Sequence, residues 1–184
     1  SSNVSFELMP IKYFDQNMSF QQQKDAFLEA LKYAIANDVN VINVSGGGMS
    51  YSHEEYRLLA QASRKNILVV AAGGNKLMNQ KDFRFYPAAY NLLNILSVVA
   101  VDKTGLVLRT SNRNTGKNNL YVCGQNMIST LPKNNYGSRT GSSQAAAIAT
   151  GRLVSQLEKI KSIFRTPQSR DKSQKINLQT FLDL

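Results

Sequence analysis

Histidine and cysteine are almost missing from this sequence: among 184 residues there is one of each. The lone thiol, Cys123, has no internal partner, which excludes a disulfide within the chain and leaves its redox compartment open. It ends an apolar run and reads as a packed small hydrophobe. The lone imidazole, His53, leaves no second histidine for a proton relay. Acidic residues are scarce as well, 12 against 22 Lys and Arg, for a net charge of +10. They form no cluster spaced to hold a metal ion, and neither metal nor cofactor is expected. No apolar run approaches the roughly 18 residues of a membrane span, and no charged-then-apolar leader opens the chain. Residue 1 is Ser rather than Met, so the chain reads as a processed or truncated piece. The positive charge permits nucleic acid or an anionic surface as partner. Yet Lys159, Lys161, Arg165, Arg170, Lys172 and Lys175 have no aromatics interleaved with them, and they read as a solvated face.

What is present is a succession of short apolar runs and helical periodicities. Residues 4–11 alternate loosely, meet Pro10, and are expected to form a strand. A polar and aromatic loop follows over 13–20. Over 21–37, Phe27, Leu31, Ala34 and Ile35 recur at helical spacing, and Asn37 and Asp38 stop the helix. Residues 39–44 are the next strand, completing a β-α-β unit with the expected right-handed crossover. Ser52 and Glu55 spell S-x-x-E, which predicts a capping box on a helix over 52–64. His53 lies inside that box, as an exposed first-turn residue. Strands are expected over 67–72 and 95–101, shorter ones near Val107 and over 120–122, and a hairpin over 128–139. A long helix should run from 142 or 143 to about 164. This alternation predicts an α/β fold: one domain with a mainly parallel sheet flanked by helices on both faces. Its core should span 4–164, with a basic tail and terminal segment over 165–184. Ser169 to Lys172 reads S-x-x-K, but a Ser–Lys dyad needs a buried lysine, which a charged tail does not offer.

One stretch stands out, T-G-S-S-Q-A-A-A-I-A-T-G over 140–151. A glycine turn leads into small residues that let another backbone come close. Ser143 sits where a helix begins, beside free N–H groups and the positive end of the dipole. It is either a capping serine or a nucleophile for acyl transfer, whose developing oxyanion those N–H groups would stabilise. Two glycine-terminated strands lie upstream, V-N-V-I-N-V-S-G-G-G over 39–48 and I-L-V-V-A-A-G-G-N over 67–75. Between them and Ser143 come Y-P-A-A-Y, L-S-V-V-A-V-D and S-T-L-P-K-N-N-Y-G.

In this order and spacing the chain resembles the subtilisin-like serine proteases, or subtilases, from about residue 5 to 160. The resemblance implies that Ser143 is the nucleophile and that Asn75 is the side-chain donor of the oxyanion hole, beside the Ser143 N–H. It implies that Ser45, Gly46 and Gly47 form the strand edge that pairs with a polypeptide substrate. Ala72, Gly73 and Gly74 would line the specificity pocket, with no charge at its base. It further implies a sheet that is incomplete because the strands preceding residue 1 are absent, so strand 4–11 should be covered by that missing part or by a symmetric partner. An exported location is implied by the resemblance alone. Family members often carry calcium, but no acidic cluster here matches such a site.

A serine hydroxyl needs a neighbouring base, and the base an orienting carboxylate. In subtilases both precede the serine, and both would lie before residue 1. The chain alone should therefore be inert. Three explanations compete: the later part of an ordinary subtilase, a degenerate one kept as a peptide-binding or regulatory module, or an intact non-protease domain that merely shares the motifs, against which the match of five collinear motifs speaks. Small departures from the family pattern bear on the choice: Gln144 for Met, Ala147 for Pro, Gly73 for Ala, Ser142 for Thr.

Overall fold

The structure, a computed structural model, describes residues 5–76, 84–113 and 116–156. In chain order these form α1 (Phe20–Ala36), β1 (Val41–Val44), α2 (His53–Arg64), β2 (Leu68–Ala72), β3 (Ile95–Val101), β4 (Asn119–Cys123), β5 (Met127–Leu131), β6 (Asn135–Arg139) and α3 (Ser142–Ser155). Strands β1 to β4 make one parallel sheet in sequence order, while β5 and β6 form an antiparallel hairpin.

β2 and β3 lie inside the sheet, and every one of their residues is buried. Their near-continuous apolar sequences are what a strand covered on both faces requires. Alternation sorts the side chains. Leu68, Val70, Ala72, Leu96, Val98 and Ala100 point to one face, against Ala145, Ala146, Ala149 and Leu153 of α3. Val69, Ala71 and Ile95 point to the other, against Leu31 of α1 and Leu59 of α2. Helices therefore cover both faces, as the alternating sequence predicts.

α1 carries a complete capping box, in which the Ser19 hydroxyl accepts from Gln22 N and the Gln22 side chain accepts from Ser19 N. The box expected on α2 is only half formed. Ser52 Oγ accepts from Glu55 N at 3.4 Å, but Ser52 N donates to the Tyr90 hydroxyl instead of to Glu55.

The strand expected over 4–11 is not formed. Residues 5–11 have no regular structure, and Phe6 and Leu8 are 63% and 83% exposed. Alternation alone does not make a strand; ladder partners do, and no neighbouring strand among the described residues offers them. Among the described residues β1 pairs only with β2 and is one open edge of the sheet, β4 being the other. Near Val107 there is no strand either, only a single bridge to Val101. Helix α3 ends its described course at Ser155; the expected continuation to 164, the tail over 165–184 and the S-x-x-K at 169–172 lie outside the described residues, as does Val4.

Candidate active site

β1 and β2 both run on into glycines at the carboxyl end of the sheet, and the N-terminus of α3 is hydrogen-bonded to both of those segments. Small residues make this possible. Ser142, Ala145, Ala146 and Ala149 are fully buried at the helix–sheet contact, leaving no side chain to hold the backbones apart.

The capping role offered for Ser143 is not what the structure shows. The N-cap of α3 is Gly141, and no side chain caps the helix. The Ser143 hydroxyl instead donates to the Ser45 carbonyl at 2.7 Å, and the Ser45 hydroxyl donates back to the Ser143 carbonyl at 3.2 Å. This reciprocal pair fastens the nucleophile candidate to the end of β1. Asn43 extends it: its Nδ2 donates to Ser45 Oγ at 3.1 Å, and its Oδ1 lies 3.0 Å from the Thr150 hydroxyl, two turns along α3.

Asn75 reaches the same helix end from β2. Its Oδ1 accepts from Ser142 N at 2.8 Å, so the carboxamide satisfies one of the free N–H groups of the first turn. That bond fixes the amide orientation and leaves Nδ2 with no hydrogen-bond partner among the described residues. Ser142 returns the contact, its buried hydroxyl accepting from Gly74 N at 3.1 Å. Asn75 and Ser143 are thus held on successive residues of one helix terminus, with a side-chain N–H and the Ser143 N–H both uncommitted.

Sequence reasoning missed Asn112. It is 5% exposed and clasps the segment that carries Asn75. Its Nδ2 donates to Gly73 O at 2.9 Å, its N–H to Gly74 O at 3.0 Å, and its Oδ1 accepts from Lys76 N at 3.0 Å. Gly74 has φ +98°, a conformation L side chains rarely adopt, and a Cβ there would collide with the Asn112 carboxamide. An asparagine following a serine in a loop carries no periodic signal that would mark it.

The remaining expected residues fall as follows. Ser45 is exposed at the end of β1, followed by Gly46 and Gly47. Ala72 is 2% exposed and belongs to the core beneath α3, while Gly73 and Gly74 are buried between Asn112 and Ser142. His53 opens α2, on the sheet face opposite α3. It is exposed and makes an edge contact with Tyr51. Among the described residues no group of three His, Cys, Asp or Glu is placed to hold a metal ion, and no helix is long and apolar enough to cross a membrane.

On the other side of Gly47 and Gly48 lies a cavity of about 180 Å³, walled by Tyr13, Phe27, Tyr51 and Tyr86, with Lys24 and Glu55 also in its lining. Gly48 and Tyr86 exchange backbone hydrogen bonds of 3.0 and 2.8 Å across its mouth. Gly47 lies so close to the Tyr86 carbonyl and the Phe85 ring that a Cβ would overlap them. Burial pushes the Glu55 carboxyl up to about 7, against the opposing pull of the Tyr90 hydroxyl and Lys24.

A family model described as the subtilase family matches residues 3–179. The chain belongs to that family. Among subtilase relatives, the major intracellular serine protease of Bacillus subtilis (strain 168) is 34% identical over 136 residues, covering 72% of this chain and 41% of that protein. Subtilisin DY of Bacillus licheniformis is 31% identical over 145 residues, covering 78% of this chain and 52% of that protein. The minor extracellular protease Epr of Bacillus subtilis (strain 168) is 32% identical over 141 residues, 76% of this chain and 20% of that protein. The chain thus spans about half the length of these relatives, or less. Their names place such proteases both inside and outside cells. Among solved structures, the prenylagaramide maturation protease PagA superposes with a TM-score of 0.66 at 23% identity, over 80% of this chain and 55% of that one. The patellamide maturation protease PatG gives 0.63 at 20%, over 77% and 44%. These two share the subtilase fold.

Proposed function

We propose that this chain is the nucleophile-bearing part of a serine endopeptidase, with Ser143 attacking the peptide carbonyl and Asn75 and the Ser143 N–H binding the resulting oxyanion. The observation that carries this reading is the bond from Ser142 N to Asn75 Oδ1. It spends the acceptor half of the carboxamide on the helix and presents the donor half beside Ser143. A polypeptide substrate lies along Ser45, Gly46 and Gly47, whose backbone groups follow the last paired residue of β1, and Gly73 and Gly74, with Ala72 behind them, form the adjoining wall. In the reaction the hydroxyl proton passes to a base, Oγ bonds to the carbonyl carbon, and the carbonyl electron pair moves onto the oxygen between the two N–H groups. Collapse expels the amine, which takes the proton, and water then hydrolyses the acyl-enzyme.

The base and its carboxylate do not come from residues 1–184. The one histidine stands on α2, and the partner of the Ser143 hydroxyl is a carbonyl, which cannot take a proton. They are supplied by a part of the protein that pairs along the open edge of β1, close to Ser45. The chain by itself is therefore inert. For location we propose export from the cell, as the name of the minor extracellular protease Epr says of that protein, whereas the name of the 34% identical relative places it inside the cell.

Labelling by a fluorophosphonate tests the reading. The 184-residue chain should react very slowly or not at all, the full-length protein rapidly, and Ser143→Ala not at all in either. A full-length protein that never reacts, although folded, would make this a degenerate subtilase whose groove binds peptides without cutting them.

A further inference from the structure

α2 opens on a serine and a glutamate at the spacing that normally closes a capping box, yet the glutamate does not cap. Ser52 N and Ser52 O both contact the Tyr90 hydroxyl, each at 3.1 Å, so the position Glu55 would occupy is filled. The carboxylate turns instead into the cavity behind Gly47 and Gly48, where the residue is only 9% exposed. An acid so placed requires a partner or a proton. Tyr90 can give its single proton either to Ser52 O or to Glu55. Lys32, the other lysine of α1, is already paired with Glu29 and Glu54. Glu55 makes no ion pair within 4 Å among the described residues.

We propose that this cavity is a side-chain subsite for the peptide lying along Ser45 to Gly47, and that Glu55 makes it select a basic residue, lysine or arginine. The inference rests on the peptide-groove reading above and adds to it the substrate class. Five aromatic rings, those of Tyr13, Phe20, Phe27, Tyr51 and Tyr86, and one carboxylate suit a cation on a flexible apolar stem. The stem packs on Phe27 and Tyr86, the charged head meets ring faces and Glu55, and nothing polar is left buried alone. An apolar occupant would seal the carboxylate away from water unpaired, and an acidic one would meet like charge. The groups facing Glu55 are Lys24 from α1, Tyr13 from the segment before α1, Tyr51 and Ser52 from the loop before α2, and Tyr86 and Tyr90 from the segment before β3. Lys24 is the one cation among them, on a long chain at the partly exposed face of α1, and a substrate cation displaces it.

Butylguanidinium, a single guanidinium on a four-carbon stem, tests the cavity without a peptide backbone. Titrated into the 184-residue chain, it should produce saturable NMR shifts of the Tyr13, Tyr51 and Tyr86 rings. The uncharged butylurea should not, nor should butylguanidinium with Glu55→Gln. No response, or an equal one in Glu55→Gln, overturns the inference whatever peptides do. Peptides differing at one residue (arginine, lysine, citrulline or norleucine, scanned along the sequence) test the subsite by fluorescence anisotropy. Arginine and lysine should bind about tenfold more tightly at a single position above pH 7. The preference should shrink below about pH 6 as Glu55 takes a proton. It should vanish in Glu55→Gln with neutral peptides unaffected, and turn towards norleucine in Glu55→Leu. Equal affinities at every position overturn the subsite and leave the peptide groove standing. If no peptide binds while butylguanidinium still does, subsite and groove fail together.

Discussion

Two groups with opposite hydrogen-bonding duties meet at the start of α3, and the residue scale is where they can be separated. Asn75 accepts from Ser142 N with one atom and offers a donor with the other. Asn75→Asp keeps the acceptor and places a negative charge at a helix N-terminus, where the dipole favours it. Thermal denaturation should show little change in stability. Phosphonylation of Ser143 in the full-length protein should nevertheless slow about ten- to a hundredfold, because one hydrogen bond to a charged oxygen, about 1.5–3 kcal/mol, becomes a repulsion. Asn112 has the reverse profile. Asn112→Ala leaves Gly73 O and Lys76 N without their side-chain partners in a buried setting. Urea unfolding should report a loss of about 1–3 kcal/mol, with reactivity falling because the Asn75 segment is no longer clasped. Gly74→Ala should be as damaging, since it forces a side chain into both an unfavourable φ and the Asn112 amide.

At the scale of elements, α3 serves as both a core helix and the platform of the site, and its alanines reconcile the two. Ala149 has no exposed surface and packs against the sheet. Ala149→Leu must push the helix off β2 and β3, costing about 1–3 kcal/mol by overpacking, while drawing Ser143 away from the Ser45 carbonyl. Circular dichroism melts together with fluorophosphonate rates should show both losses. How legible these elements are in the sequence follows from where their signals originate. β2, β3, the hairpin and the three helices are local in origin, a buried run, a turn, or an apolar stripe with a cap, and each is found within a residue or two of its expected place, α3 at its start. The failures are non-local. A strand over 4–11 depends on a neighbour beside it, and residues 5–11 have none. The capping box of α2 is undone by Tyr90, which is remote in sequence and competes for Ser52. That the segment bearing Asn75 meets the start of α3 is legible through motif order; the clasp by Asn112 is not, because a buried asparagine looks like any other loop residue.

For the whole molecule, the question is how its stability responds to pH and to its open edge. Glu55 titrates near 7 when folded, against 4.5 for the unperturbed group. The folded state therefore holds the proton more tightly than the unfolded chain, and stability falls as pH rises from about 4.5 to 7. The loss is on the order of 3 kcal/mol for such a displacement. Denaturation midpoints of Glu55→Gln should be flatter across that interval and higher than those of the parent at pH 8. Amide exchange should expose the edge. β2 and β3, paired on both sides, should exchange slowly in dilute protein, while β1 and residues 5–11 should exchange fast.

The bond that parks the Ser143 hydroxyl on the Ser45 carbonyl also bears on how such a protease is kept safe. A carbonyl oxygen can hold a hydroxyl still but cannot make an alkoxide of it. On the reading proposed above, with Ser143 as the nucleophile, the chain by itself would fold beside other proteins without cutting them, its hydroxyl held in place until an imidazole from elsewhere reached it.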